Sequence, residues 1–107
     1  MSRQIIIIDD DEDDIEIMRD CIYTLGRDYN CATFIHACEA LGHLKTSLPK
    51  PDLIVMDIHM PKMDGHECLN EIRKIERLDN TLVAIYSSGM VRNEALAQFE
   101  IAGAIFF

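Results

Sequence analysis

Basic residues are scarce in this chain. Ten lysines and arginines stand against nineteen aspartates and glutamates in 107 residues, for a formal net charge of −9 and a pI near 4.7. Such a surface argues against direct contact with nucleic acid or an anionic membrane, and a basic or cationic partner fits better. No apolar run approaches the ~20 residues that span a bilayer. Met1-Ser2-Arg3-Gln4 leads straight into four isoleucines, without the longer apolar region and small-residue cleavage site of a signal peptide, so a cytoplasmic location is expected. Cys21, Cys31, Cys38 and Cys68 have no CxxC spacing and are expected as buried free thiols. There is also no internal repeat, linker or low-complexity segment, and the length suits one domain with a single core.

What is present is an alternation of two periodicities. Ile5 to Ile8 is a continuous β-branched run, which reads as a strand buried on both faces. Ile15, Met18, Ile22 and Leu25 then fall on one helical face that Gly26 can terminate. Cys31 to Ile35 reads as a second strand, and Ala37, Ala40, Leu41, Leu44 and Leu48 as a helical stripe stopped by Pro49 and Pro51. Leu53 to Met56 is the third strand, ending at Asp57. Cys68, Leu69, Ile72 and Ile75 mark the next helix. Leu82 to Tyr86 is a fourth strand ending at Ser87-Ser88-Gly89. Ala95, Leu96, Phe99 and Ala102 stripe a fourth helix capped by Gly103, and Ala104 to Phe107 begins a fifth strand. Strands alternating with helices predict an α/β fold with a parallel sheet.

Right-handed crossovers place the loops that follow the strands on one edge of such a sheet. That edge then receives Asp9 and Asp10 from the first strand, Asp57 from the third and Ser87 from the fourth. Asp13 and Asp14 are accounted for by the first turn of the helix, where acidic residues suit the positive end of the macrodipole. Asp9 and Asp10 precede the helix and are not. Carboxylates brought together repel one another and call for a cation or a raised pKa. Oxygen ligands select a hard divalent ion, and magnesium typically takes one or two carboxylates together with a phosphate. A carboxylate can also act as nucleophile toward a phosphoryl group, and a serine hydroxyl can donate to the phosphoryl oxygens. The chemistry that fits is magnesium-assisted phosphoryl transfer to an aspartate.

Three stretches carry a family resemblance. IIIIDDD at Ile5 to Asp11, LIVMDIHMPKMDG at Leu53 to Gly65 and AIYSS at Ala84 to Ser88 resemble the receiver domain of bacterial two-component response regulators, in the same order and along the whole chain. The resemblance implies a doubly wound, five-stranded parallel sheet of order 2-1-3-4-5. It implies that Asp57 is the phosphoacceptor and that Asp10 binds magnesium directly. Asp9 would act through water or as an orienting base, and the backbone carbonyl of His59 would be a further ligand. Ser87 would hydrogen-bond the phosphoryl group, with Ser88 beside it. Phe107 would occupy the aromatic position that rotates between states. The donor would be a histidine kinase or a histidine phosphotransfer protein in a phosphorelay, and the output a downstream protein that the residues do not specify.

The pattern departs from the family in two places. The family's lysine at the end of the fifth strand, and its last helix, would lie past Phe107, so residues 1–107 are expected to be a receiver domain truncated at its C-terminus. His59 stands two residues after Asp57, a variable position that faces the phosphate. The alternatives are of different classes. A haloacid-dehalogenase-like phosphatase also uses a strand-end aspartate, but wants a carboxylate where His59 stands. A flavodoxin-like protein needs a loop of backbone donors after the first strand, where Asp9 to Asp14 would repel a flavin phosphate. A pseudo-receiver used for docking would not be phosphorylated. On the favoured reading the chain is a signalling domain and not an enzyme.

Overall fold

The computed structural model of the chain describes residues 3–24, 26, 28–46, 50–86 and 105–106. Four strands run parallel: β1 (Arg3–Ile8), β2 (Tyr29–Phe34), β3 (Leu53–Asp57) and β4 (Leu82–Tyr86). Between them come α1 (Glu12–Tyr23), α2 (Ala37–Thr46), α3 (Gly65–Arg73) and a 3-10 turn at Glu76–Leu78. A short β5 (Ile105–Phe106) completes the strand order 2-1-3-4-5.

The central strands β1, β3 and β4 are buried on both sides over most of their length, as their unbroken apolar runs require. Strand alternation divides its residues between two cores. Ile6, Ile8, Ile54, Met56, Val83 and Ile85 face α2 and α3, meeting Leu41, Leu44 and Ile72. Ile5, Ile7, Val55, Ala84 and Tyr86 face α1, meeting Ile15, Met18 and Ile22. Helices therefore cover both faces, which is the doubly wound arrangement.

Local chemistry fixes the helix starts. Asp11 is the N-cap of α1, and its side chain accepts from the backbone N–H of Asp13 at 2.9 Å and of Asp14 at 3.4 Å. Asp64 caps α3 by accepting from Glu67 N–H at 2.9 Å. Each cap satisfies backbone donors that the first turn leaves without helical partners, and is worth about 1 kcal/mol.

The structure differs from the sequence expectations at the margins. β2 starts at Tyr29 and stops at Phe34, leaving Ile35 exposed at its end. Ile75 lies beyond α3, although it still packs on the core. The expectation of five parallel strands holds for β1 to β4, whereas β5 pairs antiparallel with β4 through Ala84↔Phe106 and Ile85↔Ile105. A two-residue edge pairing does not need the helical crossover that enforces parallel direction, and an antiparallel edge strand on a parallel sheet is common. The expected fourth helix over Ala95 to Ala102 lies outside the described residues. So do Ser87, Ser88 and Phe107. The thiols also depart from expectation. Cys68 is buried, but Cys21 and Cys31 are only partly covered and Cys38 is exposed, because it lies on the outer side of the first turn of α2.

Candidate functional site

The site is a row of polar residues at the carboxyl ends of three neighbouring strands. Register pairs Ile7 with Val55, Val55 with Ala84, and Asp57 with Tyr86. One step past the end of β1, the same alternation sets Asp9 on the face shared by Asp57 and Tyr86. The backbone still follows the sheet there, since Asp9 N–H donates to the carbonyl of Phe34 at 3.0 Å.

Asp9 and Asp57 are fully buried, while Asp10 is exposed. One carboxylate oxygen from each of Asp9, Asp10 and Asp57 lies within 4.8 Å of the others. Asp9 Oδ1 accepts from Asp11 N–H at 2.9 Å, and Asp9 Oδ2 accepts from the Tyr86 hydroxyl. Burial is the main reason the Asp9 carboxyl is pushed up to about 7; the donors of Tyr86 and Asp11 oppose the shift, and the charges of Asp57 and Asp14 add to it. Tyr86 is held firmly in its phenol form, first by burial and then by the adjacent Asp9 charge.

The loop after β3 is fastened to the same edge. Asp57 Oδ1 accepts from His59 N–H at 3.1 Å. Ile58 N–H donates to the Tyr86 carbonyl at 2.8 Å, and Gly65 N–H donates to the Ile58 carbonyl at 2.9 Å. Lys62 turns the loop with a φ of 71°, in the left-handed region. Asp10 of the cluster also lines an open cavity of about 480 Å³, together with Asp11, Glu12, Asp13 and Ile35.

An all-oxygen donor set with a disfavoured buried charge fits a hard divalent cation, which would offset the repulsion that burial strengthens. The sequence matches the response regulator receiver domain family over residues 5–106. The chain belongs to that family.

Relatives of this receiver domain include the sensor histidine kinase CheAY of Helicobacter pylori, 33% identical over 90% of this chain and 12% of that protein. Another is the alkaline phosphatase synthesis transcriptional regulatory protein PhoP of Bacillus subtilis, 36% identical over 69% of this chain and 29% of that one. The chain thus spans only a minor part of these two relatives. Among solved structures, the phosphorylated cyanobacterial phytochrome response regulator RcpA superposes with a TM-score of 0.75 at 22% identity, covering 96% of this chain and 77% of that one. The receiver domain of sensor histidine kinase PA1611 from Pseudomonas aeruginosa, with a magnesium ion coordinated in its active-site cleft, gives a TM-score of 0.72 at 19% identity, covering 91% and 79%. Both likenesses concern the fold.

Of the residues expected at the receiver's site, the structure brings together Asp9, Asp10 and Asp57 and sets the His59 backbone against Asp57. The His59 side chain is exposed. Three contributors were not expected. Asp11 caps α1 and also steadies Asp9 through its N–H. Asp14, assigned to the helix turn, is fully buried and adds to the field at Asp9. Tyr86 reads in sequence as the last residue of an apolar strand. Strand parity was the available signal, because Tyr86 shares the Asp57 row.

Proposed function

We propose that this receiver accepts a phosphoryl group on Asp57 from a histidine kinase or histidine phosphotransfer protein. The observation that carries the reading is a buried strand-end carboxylate, Asp57, clustered with Asp9 and Asp10. An Asp57 carboxylate oxygen forms the new bond to phosphorus, the phosphorus–nitrogen bond of the donor phosphohistidine breaks, and the electron pair leaves on the imidazole nitrogen. Asp10, Asp57 and the His59 carbonyl would hold magnesium, with Asp9 bound through water or orienting. Magnesium supplies charge neutralisation to the carboxylates and to the phosphoryl oxygens. His59 N–H, donating to Asp57 Oδ1, helps to fix the orientation of the carboxylate that attacks.

Ser87 and Ser88 follow Tyr86 directly in the sequence, and Ser87 would donate to a phosphoryl oxygen. Movement of Ser87, coupled to Phe107, would alter the surface that a downstream protein reads. The domain then acts as a switch and not as an enzyme on other substrates, in keeping with a family of two-component signalling domains. Among the described residues no helix is long and apolar enough to cross a membrane. The acidic surface points to protein partners and not to nucleic acid.

Acetyl phosphate with magnesium tests the proposal. Intact-mass measurement should show one added phosphoryl group of acyl-phosphate lability, absent in Asp57→Asn. Equal modification of Asp57→Asn would remove the assignment, and an unmodified wild type would favour a docking module that is never phosphorylated.

A further inference from the structure

Tyr86 lies at the end of β4 and is 1% exposed, with its hydroxyl donating to Asp9 Oδ2. The other oxygen of Asp9 is held by Asp11 N–H at 2.9 Å. A donor on each oxygen fixes the plane of the carboxylate as well as its position. Each carboxylate oxygen carries two acceptor sites, so one donor per oxygen leaves Asp9 able to serve a cation or its water. The bond therefore orients and does not block. Without the hydroxyl, the charges of Asp57 and Asp14 would favour turning the Asp9 carboxylate away from the cluster.

We infer that Tyr86 is a positioning residue for the divalent-cation site: its buried hydroxyl holds Asp9 in the orientation that completes the cluster with Asp10 and Asp57. This rests on the reading of those three carboxylates as the magnesium site. It goes further by making a residue of β4 part of the apparatus that sets cation affinity. Because Tyr86 immediately precedes Ser87 in the sequence, cation binding is then felt at the end of β4, one residue before the proposed phosphoryl donor.

A packing role alone would change stability and nothing else, so the test reads cation affinity and a tyrosine signal. The chain has three tyrosines and no tryptophan, which makes its near-ultraviolet absorption sensitive to tyrosine environment. Magnesium is titrated into the 107-residue protein, into its Tyr86→Phe variant, and into the double variant Tyr23→Phe/Tyr29→Phe, which keeps Tyr86 as its one tyrosine. Thermal melts in EDTA show that each chain is folded. Tyr86→Phe is expected to bind magnesium about tenfold more weakly, the low end for loss of a group that orients a metal ligand. Wild type and the double variant should both show a saturable magnesium-dependent tyrosine difference spectrum, and Tyr86→Phe should lack it. Unchanged or tighter binding by Tyr86→Phe overturns the inference while leaving the site itself intact. A flat difference spectrum in the double variant overturns it too, and needs no folded Tyr86→Phe. A wild type that binds no magnesium brings down the reading of the site, and this inference with it.

Discussion

Gly65 sits against the backbone of Ile58 at the foot of the loop that carries the site. A Cβ at position 65 would lie 2.9 Å from Ile58 Cα and 3.0 Å from the carbonyl oxygen of Asp57. Both atoms are backbone, so neither can swing aside as a flexible side chain would. Gly42, exposed in α2, is the contrast, with nothing within 4 Å of its added Cβ.

The two glycines should therefore respond to alanine with opposite signs. Gly65→Ala forces the loop after β3 to shift and should cost about 1–3 kcal/mol, in the manner of an overpacked core. Gly42→Ala should stabilise by about 0.5–1 kcal/mol, since an exposed helix interior gains from alanine. Urea unfolding checks both through the midpoint at constant m-value. A Gly65→Ala protein as stable as wild type would contradict the close approach.

The cysteines differ enough in surroundings to be told apart by a thiol reagent. The Cys68 thiol is pushed up to about 12, chiefly by burial and then by nearby negative charge, whereas Cys38 is exposed. Only the thiolate is nucleophilic, and Cys68 is both protonated and covered. Brief iodoacetamide treatment of the native protein should label Cys38 well before Cys68, with Cys68 reacting after denaturation. Peptide mapping that finds the two labelled at equal rates in native buffer would refute the packing of α3.

Much of this was legible in the sequence because apolar runs and helical stripes report burial directly. Leu82 to Tyr86 matches β4 at both ends, and Asp57 closes β3 where the apolar run stops. The gathering of Asp9, Asp10 and Asp57 follows from the strand alternation and crossover hand alone. What escaped was whatever depends on direction within the packed fold. Tyr86 and Asp9 are 77 residues apart, and a tyrosine closing an apolar run looks like core until register turns its hydroxyl toward the carboxylate. Asp14 has the composition of a solvated helix start, yet α1 turns it inward. Cys38 looks apolar by its neighbours, but the helix phase leaves it outside.

Asp9 should make the metal-free protein less stable as pH rises. Its carboxyl goes from an ordinary 3.8 in the unfolded chain to about 7 in the fold, so between those values the native state keeps a proton that the unfolded chain has lost. The stabilisation is fully present below the unfolded value and is lost as pH rises through the folded one. Melting temperature in EDTA should fall from about pH 5 to about pH 7.5 more steeply for wild type than for Asp9→Asn, which has no proton to lose. Parallel pH profiles for the two proteins would show that the Asp9 charge is not penalised by the fold.

The cation should act on the same repulsion from the other side. Asp9 and Asp57 are buried neighbours, whereas Asp10 faces solvent, where water screens its charge. Neutralising Asp9 should therefore raise the melting temperature in EDTA more than neutralising Asp10. Magnesium adds stability by binding the native state alone, about 2.7 kcal/mol when it is present at roughly a hundredfold excess over its dissociation constant. Asp10→Asn removes an exposed ligand and should lose most of that gain while scarcely changing the metal-free melt. Asp9→Asn should combine a higher metal-free melt with a smaller gain. Melts of the three proteins, each with EDTA and with excess magnesium, separate repulsion from ligation, because the first moves the EDTA value and the second moves the difference. If Asp10→Asn gained as much from magnesium as wild type, the exposed carboxylate would have no part in holding the ion, and the three aspartates would not act as one site.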